Sequence, residues 1–227
     1  MTLRAAFGAG LNAAKENLLP GLLLQVMMAM FIALYLLHDG TRAFLFHVAN
    51  LREQMGYAFA FLSYSVSGGL LPELLKIIFF QKGIPQRRNV WMFATSAPLW
   101  GVMGMVVDFF YRSLSVWLGA GNSWQTVVLK VCVDQFLYSP LFANPVVAAY
   151  FTLRDFRFSR EGLETVLRWD FLTNKVLPIQ VAGWCIWIPG VAVVYSMPSL
   201  LQFPVAVLIS CFWVLMVTTI NERKVRH

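Results

Sequence analysis

Apolar residues gather into six long stretches, near residues 18–37, 57–80, 91–118, 125–152, 177–197 and 203–220. A helix needs about 20 predominantly apolar residues to cross the hydrocarbon core of a bilayer, and every stretch is near that length or beyond it. The pattern predicts six membrane-spanning helices. Pro72 interrupts the second, Pro140 and Pro145 the fourth, and Pro178 and Pro189 the fifth. A proline brings no amide donor, so these helices are expected to kink or break there. Between the third and fourth stretches, Trp117 and Trp124 flank the turn Gly119-Ala120-Gly121-Asn122, which makes a hairpin with tryptophans at the interface. Residues 159–175 are polar but periodic. Leu163, Val166, Leu167 and Phe171 share one face, Arg160, Glu164 and Arg168 the other, and Ser159 stands as a helix cap. That segment predicts an interfacial helix with Trp169 at headgroup depth. With no internal repeat, the fold class is all-α: a polytopic membrane helix bundle of about six spans plus one interfacial helix, one domain over residues 1–227.

Composition and charge sharpen this picture. The chain is 59% hydrophobic and 13% charged, with a mean hydropathy of +0.65, outside the range of soluble domains. Its 18 lysines and arginines are unevenly placed. With the N-terminus on one side, that side collects Arg4, Lys15, Lys82, Arg87, Arg88, Arg154, Arg157, Arg160, Arg168, Lys175, Arg223, Lys224 and Arg226, whereas the opposite loops hold Arg42 and Arg52. The positive-inside rule then places both termini in the cytoplasm or its organellar equivalent. The net charge of +7 reflects that topology and attraction to anionic lipid, and no nucleic-acid partner is implied. The first apolar stretch lacks a small-residue cleavage pattern, so it is expected to stay as a span, and the residues before it do not read as a transit peptide.

Three acid–base pairs fall inside the spans at one-turn spacing: Glu73 with Lys76, Asp108 with Arg112, and Lys130 with Asp134. A charge in hydrocarbon costs a few kcal/mol or more (at least ~2.5), so each needs a partner, a wet surface or the interface. Residues three and four apart on a helix are neighbours, and each pair supplies its own partner. The hairpin sets Asp108, Arg112, Lys130 and Asp134 at similar depth, where they could form one four-charge cluster with Gln135 beside it. Glu73 and Lys76 lie nearer the cytoplasmic end, after Ser67-Gly68-Gly69, where helices can approach closely. Cys132, Cys185 and Cys211 have no metal or disulfide spacing and read as small buried hydrophobes. His38, His47 and His227 stand apart from any ligand cluster, and no phosphate loop, nucleophile elbow or zinc-protease helix occurs. No metal, cofactor or enzymatic activity is predicted.

The residues around these pairs carry a resemblance. Gly104 is followed by Phe110-Tyr111-Arg112, and Lys130-Val131-Cys132-Val133-Asp134-Gln135 by Pro140; further on come Trp184, Trp187, Pro189, Tyr195, Met197-Pro198 and Trp213. Over residues 57–220 the chain resembles the Mpv-seventeen / peroxisomal membrane protein family, with residues 1–56 as an N-terminal helix and loop outside the likeness. It departs from the family pattern at Met105, Ile188, Gln202 and Val214. The resemblance implies a small multi-span protein of a bacterial inner membrane, or alternatively of an organelle, that acts as a channel for small solutes. A single six-span bundle is small for a pore, so a conducting form would take several copies.

Two functions fit the same residues. In a small-solute channel, Asp108, Arg112, Lys130, Asp134 and Gln135 would line or gate the path. In a non-conducting structural or assembly protein they would lock two helices together, with Glu73 and Lys76 a satisfied pair near the headgroups. Trp184 and Trp187 read as packing or interface anchors.

Overall fold

The computed structural model describes residues 3–16 and 18–226, with the side chains of 3, 13, 16, 20 and 215–226 outside the description. The C-terminal cations Arg223, Lys224 and Arg226 therefore lie outside the described side chains. Among the described residues there are nine helices and no strand, which is the all-α bundle expected: α1 Leu3–Glu16, α2 Leu18–Leu37, α3 Asp39–Met55, α4 Tyr57–Phe80, α5 Arg87–Leu118, α6 Trp124–Asp155, α7 Arg160–Leu167, α8 Leu172–Ser196 and α9 Ser199–Arg226. Four of them, α4, α5, α6 and α8, are long and apolar enough to cross a membrane. Over its described part, α2 from Gly21 passes that test together with α3, across a 100° bend, and the apolar part of α9 is the shorter run Ser199–Val214.

The bend corrects one expectation. The stretch before Gly56 is not a loop but the helix α3, because Leu45, Ala49 and Arg52 form a buried stripe at helical spacing and the His38 ring accepts the Thr41 amide at its start. Gly56, at φ +56°, ends it. The polar segment after α6 is also shorter than predicted. Ser159 does cap it, accepting from the Gly162 amide at 3.4 Å, but α7 stops at Leu167 because Arg168 is extended. Leu163, Leu167 and Trp169 are exposed beside it, as an interfacial segment requires, whereas Phe171 turns inward against Ala148 and Val176.

The prolines are absorbed by wide turns. Leu71, Asn144 and Leu177, each immediately before a proline, bond five residues back, to Val66, Ser139 and Leu172. The wider register gives room to a ring that would clash with the carbonyl four residues earlier. Pro189 differs, staying inside the α-helical run Leu177–Ser196.

Two packings position the interior. Helix α9 is buried on every side between Leu201 and Ala206 and packs against α2, α3, α4, α5 and α8. Helices α4 and α5 meet through small residues: a Cβ on Gly69 would lie 2.7 Å from the Ala97 Cα, and one on Gly104 only 2.4 Å from the Ala60 carbonyl oxygen. The Ser65 hydroxyl crosses that seam to the Ala97 carbonyl at 2.9 Å. Cys132 and Cys185 are on exposed helix faces rather than buried, since their helix stripes point away from the bundle, and Cys211 is half-buried.

Candidate functional site

The intramembrane charges separate into three groups rather than one cluster. Glu73 and Lys76 make the expected pair at 2.7 Å, and the Asn89 amide donates to the second Glu73 oxygen at 2.7 Å, so this carboxylate is shared between α4 and α5. Asp108 is fully buried and takes the expected bond from Arg112 Nε at 3.0 Å. Its closer partner is Arg52 of α3, whose Nε and Nη2 both bond one Asp108 oxygen. Glu53 completes the group, bonding Arg52 and Arg112 at 3.0 Å each. Two acids and two bases thus close on one another, and neither Arg52 nor Glu53 was among the residues singled out from the sequence.

Lys130 and Asp134 do not pair. Lys130 is fully buried, its amine has no hydrogen-bond partner among the described residues, and it stands over the Tyr195 ring, 6.0 Å from the centroid. Asp134 is bonded instead by the Tyr195 hydroxyl at 2.5 Å, the Gln135 amide at 2.9 Å and the Ser139 hydroxyl at 3.5 Å. The turn between them is still α-helical, the Asp134 amide bonding the Lys130 carbonyl, so the spacing permits the pair; the carboxylate is taken instead by Tyr195, Gln135 and Ser139, and the wide run Asp134–Ala143 begins here. An unpartnered amine in the interior is costly, so Lys130→Met is expected to raise the thermal unfolding temperature in detergent; a fall would reveal a partner that holds the charge.

The wide run builds a cavity. Pro140 cannot donate, and the carbonyl five residues back, that of Gln135, is satisfied from α8 by Trp184 Nε1 at 3.0 Å and Gln180 Nε2 at 3.4 Å. Asn144 holds Gln180 in place at 2.6 Å. Trp184 is therefore a donor as well as a packing residue. On the inner face of this run Asp134, Tyr138 and Ser139 open onto a space of about 190 Å³, closed from other helices by Tyr64, Tyr111 and Trp187. From Asp134 to Val147 it follows α6 for about 20 Å at 1.5 Å per residue.

A second cavity, of about 230 Å³, lies at the end of the bundle carrying the 119–123 turn, lined by Arg52, Glu53, Arg112, Ser115 and Ser199. Tyr111 lines both cavities and is itself buried, with its ring edge-on to Tyr195 at 5.2 Å. A polar pocket of about 330 Å³ around Glu73, Lys76 and Asn89 lies at the opposite end. Among the other motif residues, Trp187 meets Trp213 edge to face at 6.4 Å, and Pro198 follows the extended Met197 that ends α8. Among the described residues no group of three or more His, Cys, Asp or Glu is placed to hold a metal ion.

No family model, curated protein or solved structure matches this chain. The helices identify it only as an integral membrane protein.

Proposed function

We propose that this protein is a small-solute channel or pore, its path running through the Asp134 cavity with Tyr111 as the dividing side chain. The observation that supports this reading is the placement of Tyr111 on the wall of two cavities at once, one central and one charged and near the end of the bundle. In this reading, rotation of that ring joins them. The resemblance to the Mpv-seventeen / peroxisomal membrane protein family agrees with the same reading, as does a bacterial cytoplasmic membrane with both termini inside. A homo-oligomer would supply further copies of the path.

The second reading, a non-conducting assembly protein, draws support from the closed Arg52–Asp108–Arg112–Glu53 group. We assign that group to holding α3 on α5, and the Asp134 cavity to solute. Current across a planar bilayer containing purified protein separates the two. Tyr111→Ala is expected to enlarge or lengthen discrete openings several-fold, and Asp134→Asn to change ion preference with folded yield retained, because asparagine still accepts from Tyr195. Silent bilayers from folded wild type and Tyr111→Ala alike would overturn the channel.

A further inference from the structure

We propose that the Asp134 cavity is a binding site for a small organic cation, an alkylated or protonated amine. This rests on the reading of that cavity as the solute's path and names the class of solute it selects.

Charge is the first argument. Among the described residues, Asp134 is the only acid on the cavity wall, and no lysine, arginine or histidine lines it. Its three hydrogen bonds come from uncharged donors: two side chains of its own helix and Tyr195 of α8. Lys130, one turn away, makes no ion pair with it, and Arg52 and Arg112 are committed to Asp108 and Glu53. A carboxylate left without a cation in a medium of low dielectric attracts one. The carboxylate would repel an anion, and a neutral molecule would leave its charge uncompensated.

The wall chemistry gives the second argument. Tyr64, Trp100, Tyr111, Tyr138 and Trp187 supply five aromatic rings to the wall of the cavity that holds this one acid. Aromatic faces attract an ammonium through the ring quadrupole, and their pairing with one carboxylate recognises alkylated amines better than strongly hydrated inorganic ions. The Tyr138 hydroxyl is buried with no hydrogen-bond partner among the described residues, which leaves one polar group on the wall for the ligand. Size agrees. About 190 Å³ is far more than one water or metal ion needs and is comparable to the roughly 150 Å³ apolar cavity that takes up benzene.

The test is calorimetric titration of the full chain in nanodiscs of uncharged lipid with tetramethylammonium, with its uncharged counterpart tert-butanol and potassium chloride as controls. Saturable binding of tetramethylammonium alone is expected. Asp134→Asn should weaken it tenfold or more, and Trp187→Leu roughly threefold to thirtyfold, the range of one cation–ring contact. Circular dichroism of each variant establishes that it is folded. No saturable binding by folded wild type, equal uptake of tert-butanol, or unchanged affinity in Asp134→Asn would overturn the proposal. Its failure is distinct from failure of the channel: discrete conductance without tetramethylammonium binding keeps the path and removes the cation site, whereas binding in a silent bilayer keeps the site and removes the path.

Discussion

Asp108→Ala is expected to cost about 3–5 kcal/mol and to collapse the folded yield, the typical penalty for removing one partner of a buried ion pair. Arg52, 3% exposed, would keep its charge with only the half-exposed Glu53 beside it, and α3 would lose its buried anchor to α5, leaving the more exposed Glu53–Arg112 pair. Arg112→Ala acts on the same carboxylate with a much smaller effect, about 0–1 kcal/mol, because its side chain is 40% exposed and water or headgroups replace what it loses. The double replacement Arg52→Met with Asp108→Leu removes both charges and is expected to recover most of the loss. Thermal unfolding in detergent, read by circular dichroism, gives all three values. A small effect of Asp108→Ala, or no recovery in the double variant, would show that the group does not hold the helices.

Local spacing revealed half of this arrangement. Asp108 with Arg112 and Glu73 with Lys76 sit on unbroken helical turns, and both pairs form as one-turn spacing dictates. Arg52 was hidden because α3 is weakly apolar and polar enough to read as a loop; its only signal was the stripe Leu45, Ala49, Arg52, which identifies a buried helix face once a covering helix is known. Lys130 and Asp134 have the same spacing as Asp108 and Arg112 with the opposite outcome. The difference lies in a tyrosine 61 positions along the chain that takes the carboxylate, and in Ser139, which the wide run starting at Asp134 brings to it. Neither effect is visible within one turn.

The cavity was still less legible. Tyr64, Tyr111, Tyr138 and Trp187 come from four helices, and on each helix an aromatic residue at core spacing looks like packing. They become a wall where α4 and α5 approach through glycine and α6 runs wide from Asp134 to Ala143. The Gly68-Gly69 pair did announce the first half of that geometry, and Pro140 and Pro145 the second. What the sequence withheld was that both act on the same space.

Gly104→Ala carries the other large effect. The new methyl would lie 2.4 Å from the Ala60 carbonyl oxygen and 2.6 Å from the Tyr64 Cβ, and the first of these is backbone that no rotamer change can move. Helices α4 and α5 must part, at a cost of about 1–3 kcal/mol or more, as overpacking of a close-packed interior demands. Gly8→Ala is the control: nothing lies within 4 Å of the added methyl, and alanine in an uncrowded helix turn is expected to stabilise by up to about 1 kcal/mol. Opposite shifts of unfolding temperature for the two variants would confirm that close approach, and not helix propensity, decides Gly104. The same displacement reaches the cavity, because Tyr64 moves with α4 and Tyr111 with α5. Protein that survives Gly104→Ala should therefore show altered conductance with Asp134 untouched. Lost stability with unchanged conductance would separate the seam from the path and require another element to set the width of the Tyr111 divide.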